Sequence, residues 1–289
     1  MNTIGIDLGG TNIRAARILP GGEIDGYTAS LPTDAMTATG EEIYSRIVRL
    51  VEGTRNRSTA AIGIGSTGPI DIDRGMTLDC NNLPSMQYFP ICKRLSEDTG
   101  LPVFLNNDAN ALILGEAAAG AGKGYDRVLG LTIGTGLGAA LVVSLKVVRG
   151  AADNAGEIWT APYRDGIIED WVSGTGIQRM YEKLTGISRS GKEIADLARR
   201  SDPDACKVWK EFALALGFAL SWTVNMDDPD IVVLGGSVIQ SSDLFLEEAE
   251  TFMRRFICDS TSKKLRIAKA ALGGDAGVVG AGIDAHRRL

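Results

Sequence analysis

The chain has 289 residues, a formal net charge of -6 and no long run of one sign, so nothing recommends nucleic acid as a partner. Its 44% hydrophobic content supplies cores for about two domains, and no apolar run is long enough to span a membrane. Cys80, Cys92, Cys206 and Cys258 lie far apart, with no CxxC spacing. Neither a clustered zinc site nor a redox pair is visible, and a reduced, cytoplasmic setting is the expectation. The 36 glycines gather at a few points, as tight turns and close backbone approaches to a ligand require.

Residues 3–18 read as a strand, a Gly9-Gly10-Thr11-Asn12 turn and a second strand, entered without a basic, apolar leader. The missing side chains would let backbone N–H groups approach a phosphate, although the Walker pattern is absent. Ile43, Ile47, Leu50 and Val51 predict a helix over 41–52. Ala61 to Ile64 is a buried-type strand that leads into the turn Gly65-Ser66-Thr67-Gly68-Pro69, and Asn81-Asn82-Leu83-Pro84 is a polar loop. Val103 to Leu105 predicts a strand that gives way to a helix from about Asn110.

Between them lie Asn106, Asn107 and Asp108. All three residue types suit turns and helix caps, Asp108 as N-cap included. In an open α/β sheet, however, ligands gather beyond the carboxyl ends of the strands. If the strands are parallel, the loops after Ile64 and around Asn82 share that end with Asp108.

Residues 128–143 repeat the opening after a shift of 125, so that Gly5 meets Gly130 and Gly9 meets Gly134. The repeat predicts two related domains facing each other across a cleft, each with a Gly-rich phosphate loop. Residues 149–174 are polar and irregular and carry Glu157 and Glu169. Carboxylates there suit sugar hydroxyls, which donate charge-assisted hydrogen bonds, and they equally suit a plain surface loop. Residues 173–198 look helical, with a Ser190/Glu193 capping box, and 204–225 form a long apolar helix fit for core packing or a subunit contact. A strand from Asp230 runs into Gly235-Gly236, another strand covers 265–268, and a Gly/Ala-rich helix covers 277–285. The lone histidine, His286, reads as an exposed tail residue.

Taken together these motifs resemble the ROK family of sugar kinases, within the actin–hexokinase–Hsp70 ATPase fold. The likeness runs through Asp7 to Asn12, Gly65 to Pro69, Asn82 to Pro84, Asn107 to Asn110, Gly134 to Gly138 with Ala155-Gly156-Glu157, and Asn225 to Gly236. It implies an α/β chain of two actin-like, ribonuclease H-like domains with mixed sheets flanked by helices. The N-terminal sugar and phosphate domain would span 1–115, joined by the C-terminal helix at about 275–289. A nucleotide-binding and dimerisation domain would span 116–274.

By the same resemblance, Asp108 is the base for a hexose hydroxyl, the 6-OH of glucose first. Gly68, Asn82, Asn107, Glu157 and Glu169 attend the sugar. Gly9, Gly10, Thr11 and Asn12, with Gly134, Thr135 and Gly136, hold the phosphates of ATP. Gly235 and Gly236 face adenosine, and Asp7 orients Mg²⁺ through water. An aspartate pKa of about 4 is low for a base at neutral pH. In a loose transition state the hydroxyl loses its proton late, so orientation matters more than basicity.

The departures are specific. Thr160 stands where the family usually has a histidine, and the loop Pro162 to Ile168 lacks the family's zinc-binding cysteines. No structural zinc is expected, and an N-acylhexosamine becomes an alternative to glucose, with a non-catalytic sugar sensor a further one. The chain starts just before the first phosphate-loop strand, without the helix-turn-helix of the family's repressors, so DNA binding is not expected. A homodimer is implied by resemblance alone.

Overall fold

The computed structural model describes residues 1–289, except for the side chain of Tyr27. In chain order the strands are β1 (Asn2–Leu8), β2 (Asn12–Ile18), β3 (Ile24–Pro32), β4 (Thr59–Ser66), β5 (Ile70–Asp71), β6 (Met76–Thr77) and β7 (Val103–Asn107). They continue as β8 (Arg127–Ile133), β9 (Leu137–Val143), β10 (Lys146–Val147), β11 (Pro162–Tyr163), β12 (Gly166–Ile167), β13 (Ile231–Gly235) and β14 (Arg266–Lys269). The helices are α1 (Gly40–Thr54), α2 (Ile91–Thr99), α3 (Asp108–Ala119), α4 (Gly174–Thr185), α5 (Gly191–Arg199), α6 (Pro203–Asp227), α7 (Leu246–Arg254), α8 (Asp259–Lys264) and α9 (Ala276–Arg288).

Two five-stranded sheets share one plan. The first has the order β3-β2-β1-β4-β7 and the second β10-β9-β8-β13-β14. In the first, β1 to β3 form an antiparallel meander, and β4 and β7 add in parallel to β1. In the second, β9 and β10 are antiparallel, and β8, β13 and β14 are parallel. The strand pairs β1–β2 and β8–β9 sit 125 residues apart at both ends, so the sequence repeat is a repeat of sheet architecture.

Contacts divide the chain into two compact units. Unit 1 holds Met1–Asp126, Val142–Asp153 and Ala270–Leu289; unit 2 holds Arg127–Leu141 and Asn154–Lys269. The core of unit 1 joins Ile4, Ile6 and Leu8 of β1 to Ile43, Ile47 and Val51 of α1 and to Leu95 of α2. That of unit 2 joins Leu131 and Ile133 to Phe212, Leu216 and Leu220 of α6, and to Phe245 and Met253. Phe245 lies on Trp209 at a 5.7 Å ring separation and meets Phe212 edge-on at 4.8 Å.

Within unit 1, α9 lies backbone-to-backbone on the sheet and on α3. A Cβ on Gly5 would fall 1.8 Å from the Val278 carbonyl oxygen, and one on Gly63 would fall 1.8 Å from that of Ala281. A Cβ on Gly280 would fall 1.6 Å from the Ala111 oxygen of α3. The small residues expected to allow close packing of this helix do so.

Three expectations are corrected. The helix after β7 begins at Asp108, not Asn110, and its N-cap is Asn107, whose side chain accepts from the Ala109 and Asn110 N–H groups. The amide therefore satisfies the orphan donors, and Asp108 becomes the first helical residue. The stretch 173–198 is two helices, because Gly186 takes a left-handed conformation and ends α4. Ser190 and Glu193 then cap α5 reciprocally, as their spacing predicted. His286 is half-buried, with Nε2 3.0 Å from the Ile18 carbonyl oxygen, because α9 packs on β2 instead of trailing into solvent.

Candidate active site

In unit 1 the parallel strands end in register. Asp7, Gly65 and Asn106 are side by side, and Leu8, Ser66 and Asn107 form the next row. The turns leaving β1, β4 and β7 therefore share one sheet edge, where the polar residues expected to serve a ligand gather.

The Gly9–Asn12 turn is closed by the Gly9 N–H on the Asn12 carbonyl at 3.1 Å. Thr33 braces it, donating Oγ1 to the Gly9 carbonyl at 2.6 Å and its N–H to that of Thr11 at 2.8 Å. Gly10 has no room for a side chain, since a Cβ would sit 2.8 Å from the Asn82 carbonyl oxygen. Asn82 in turn donates Nδ2 to Thr67 Oγ1 at 3.3 Å. A Cβ on Gly68 would lie 3.4 Å from Asn107 Nδ2, so this turn runs beside the Asn107 amide. Asn107 Oδ1 caps α3, and Asp108 Oδ1 accepts from the Ala109 N–H at 2.8 Å. Asp7, Gly9, Gly10, Thr11, Asn12, Gly68, Asn82, Asn107 and Asp108 thus belong to one edge.

Asp7 faces the first turn of α9, where a Cβ on Gly277 would be 3.0 Å from its Cγ. Burial pushes the Asp7 carboxyl up from the ordinary range, opposed by the positive charge of Arg14, its cross-strand neighbour. Arg14 also pairs with Asp275 at 2.5 Å and donates to the Gly274 carbonyl, which fixes the start of α9.

In unit 2 the Gly134–Gly136 turn is closed by the Gly134 N–H on the Gly136 carbonyl at 3.0 Å. The start of α4 is tied to it. Gly174 N–H donates to the Gly134 carbonyl at 2.7 Å, and Thr175 Oγ1 donates to that of Thr135 at 2.9 Å. Gly236 has φ +89°, and a Cβ there would lie 2.4 Å from the Ile133 oxygen, so Gly235-Gly236 abuts the end of β8. Glu169 Oε2 accepts from the Leu137 N–H at 2.7 Å and lies where a Gly136 Cβ would point. Gly134, Thr135, Gly136, Glu169, Gly235 and Gly236 therefore form a second polar edge. Glu157 stands on its own exposed turn, bonded by the Trp159 indole N–H, with Gly156 pressed against the Ala139 carbonyl.

The ROK family pattern matches residues 3–288. The chain belongs to the ROK family. A glucokinase from Halalkalibacterium halodurans is 31% identical over 96% of this chain and 93% of its own length. An N-acetyl-D-glucosamine kinase from Vibrio cholerae is 30% identical over 96% of this chain and 97% of its own. A ROK glucokinase from Streptomyces griseus, solved with glucose and AMPPNP, superposes with a TM-score of 0.80 at 30% identity. That superposition covers 99% of this chain and 100% of the other. The fold is thus the two-domain actin-like fold of ROK sugar kinases.

This ROK chain builds the Glu169 segment from side-chain packing. The short β11–β12 hairpin sets Tyr163 edge-on to Trp171 at 5.8 Å and against Phe218 at 5.0 Å. The Arg164 guanidinium lies 4.4 Å over the Trp171 ring and pairs with Glu211 at 2.8 Å. Arg179 pairs with Asp170 at 2.8 Å, and Asp170 accepts the Ile167 N–H at 3.0 Å. Among the described residues, no group of three or more His, Cys, Asp or Glu is placed to hold a metal. The cysteines are all free, Cys80 and Cys92 buried and Cys206 and Cys258 exposed. Burial pushes the Cys92 thiol up to about 12.

Several supporting residues escaped the sequence reading. Thr33, Thr175 and Arg14 brace loops whose glycines were visible, but their partners are distant in sequence. Asp284 is a second case: an acid in a Gly/Ala helix reads as a solvated position, and nothing local shows its bond to Asn106, which reads as a turn residue but lies buried inside β7.

Proposed function

We propose that this ROK protein is an ATP-dependent kinase that transfers the γ-phosphoryl group of ATP to a hexose hydroxyl, the 6-OH of glucose first. The observation that carries the reading is the row of strand ends in unit 1. It sets Asp108, at the start of α3, on the edge that also bears the Gly9–Asn12 turn. The glucose and AMPPNP of the Streptomyces griseus relative support both substrates.

The roles divide by chemistry. Asp108 accepts the proton of the attacking hydroxyl. Asn82, Asn107, Glu157 and Glu169 bind sugar hydroxyls, and Gly68 leaves space for the ring. Backbone N–H groups of Gly9–Asn12 and Gly134–Gly136 bind phosphate oxygens, whose charge such turns favour. Gly235 and Gly236 leave a flat approach for adenosine. Unit 1 carries Asp108 and the Gly9–Asn12 turn, and unit 2 carries Glu157, Glu169, the adenosine-facing glycines and the subunit contact.

Mg²⁺ takes oxygen donors and keeps much of its water, so one carboxylate beside bound phosphates suffices. Asp7 fits this: it is a hard-oxygen donor beside the first phosphate turn, with no thiol or imidazole competing. When bound, Mg²⁺ neutralises charge on the phosphoryl oxygens.

Glu169 has two duties, because its carboxylate also accepts the Leu137 N–H beside the second phosphate turn. Glu169→Ala should therefore raise KM for ATP as well as for the sugar, each by roughly tenfold, the worth of a lost charge-assisted hydrogen bond. An unchanged KM for ATP would show that the bond to Leu137 does not hold the turn.

No helix is long and apolar enough to cross a membrane. We place the protein in the cytoplasm, where ATP and reduced thiols coexist. Phe218, Trp222 and Met226 are 37%, 44% and 72% exposed and recur every fourth residue on α6, a stripe that supports a homodimer.

A second reading, an N-acylhexosamine kinase, is favoured by Thr160 at the family's histidine position and by the Vibrio cholerae relative. The test is ADP release from Mg·ATP with glucose, mannose, fructose, allose, N-acetylglucosamine and N-acetylmannosamine. Glucose as the best substrate supports the first reading, and an N-acetyl sugar the second. Silence across the panel from folded, ATP-binding protein would leave a sugar outside the panel or a sensor. Prolonged chelation followed by Mg²⁺ should restore full activity without zinc; recovery that needs zinc would contradict the packed Glu169 segment.

A further inference from the structure

Behind the end of β7 lies a buried polar cluster that none of these roles uses. Asn106 is 1% exposed. Its Nδ2 donates to Asp284 Oδ2 at 3.2 Å, while its Oδ1 accepts from the Asn107 N–H at 2.9 Å and from Asn110 Nδ2 at 3.0 Å. Asp284 belongs to α9 and pairs with Arg288, one turn on, at 3.0 Å. Arg288 lies 5.6 Å from the centre of the Phe104 ring. Burial pushes the Asp284 carboxyl up from the ordinary range, opposed by Arg288, by the Asn106 amide and by Arg149, which is bonded to Asp73 and Asp153.

An asparagine amide has a donor end and an acceptor end, whereas a carboxylate only accepts. Asp284 therefore draws the nitrogen end of Asn106 toward α9, the orientation that the Asn107 N–H and Asn110 Nδ2 also favour. The other end, an oxygen, must then face the Asn107 N–H. Asn107 is the N-cap of α3, and the next residue is Asp108. The direction of one buried amide is thus transmitted to the turn that carries the base.

We propose that Asp284 is a positioning residue for phosphoryl transfer: it orients the Asn106 amide, and that amide holds the Asn107–Asp108 turn in its reactive direction. This rests on the kinase reading, with Asp108 as the base. A purely structural Asp284 would affect melting temperature and leave the turnover of folded protein alone. A positioning Asp284 affects kcat and leaves KM for ATP alone, because the ATP-binding turns do not contact it.

The test is a polarity swap in the full-length protein, with kcat, KM and melting temperature measured for each variant. In Asn106→Asp two carboxylates face each other without a donor. Its kcat should fall about tenfold to a hundredfold, the scale of a misplaced reacting group, with KM for ATP within about twofold. In Asn106→Asp/Asp284→Asn the donor sits on α9, and the carboxylate at 106 accepts from it, from the Asn107 N–H and from Asn110. Its kcat should return to within about threefold of wild type, a strong positive coupling. Asn106→Asp with wild-type kcat would overturn the proposal. So would a swap that restores melting temperature but not kcat. If Asn106→Asp does not fold, Asp284→Ala replaces it, with an expected loss of about tenfold in kcat; unchanged kcat overturns the proposal. A wild-type protein inactive on every sugar would remove the kinase reading itself, a result visible before any variant is made.

Discussion

Asp108→Asn should lower kcat roughly a hundredfold or more, the scale of general-base effects, while sugar affinity should stay within about tenfold. The substitution keeps the size and shape of the side chain and an oxygen that can still accept from the Ala109 N–H. It removes the negative charge that, on the proposed reading, takes the hydroxyl proton. The helix start is not at risk, because the cap is supplied by Asn107 and not by Asp108. Loss of turnover from a folded, sugar-binding protein therefore reports chemistry. Steady-state kinetics with calorimetric sugar binding checks it. Near-normal kcat would show that Asp108 is not the base.

Gly63→Ala should destabilise the protein by about 3 kcal/mol or more, at the upper end of overpacking costs. The added methyl group would have to occupy space 1.8 Å from the Ala281 carbonyl oxygen and 3.2 Å from the Ala285 Cβ. Neither the β4 backbone nor the α9 backbone can yield by rotating a side chain, so the helix must lift from the sheet. Lifting it would also disturb Gly277 against Asp7 and Asp284 against Asn106, and activity should fall with stability. Gly191→Ala is the control. Gly191 opens α5 with nothing within 4 Å of a Cβ, and the change should be neutral or stabilising by about 0.5–1 kcal/mol. Urea denaturation of both variants checks the pair. Equal stabilities would mean that α9 does not lie on β4 as described.

Much of this architecture was legible because it rests on local rules. Alternating and continuous apolar runs marked β1, β4 and β8, and the 125-residue repeat marked two sheets of one plan. The Ser190/Glu193 pair announced its helix. The polar edge of unit 1 could be inferred because parallel strands bring the loops after Leu8, Ser66 and Asn107 to one side. The boundary at Asp108 was misplaced because Asp and Asn are both good caps, and only the backbone shows which of two neighbours leaves the helix. His286 misled through its place near the end of the chain, where the small residues that dock α9 are the better guide. The Tyr163, Arg164, Trp171 and Glu211 cluster was hidden for another reason: it joins segments over 40 residues apart through ring and charge contacts that leave no periodic trace. Glu169 was singled out for the sugar, and its bond to the Leu137 N–H depends on the fold of a turn that no spacing encodes.

The product formed from Mg·ATP and glucose, identified by phosphorus NMR with ADP counted in parallel, decides whether Asp108 serves a hexose kinase as its base. One hexose 6-phosphate is expected for each ADP, with both lost in Asp108→Asn. ADP released without a sugar phosphate, or sugar phosphate formed equally well by the Asp108→Asn protein, would contradict that reading.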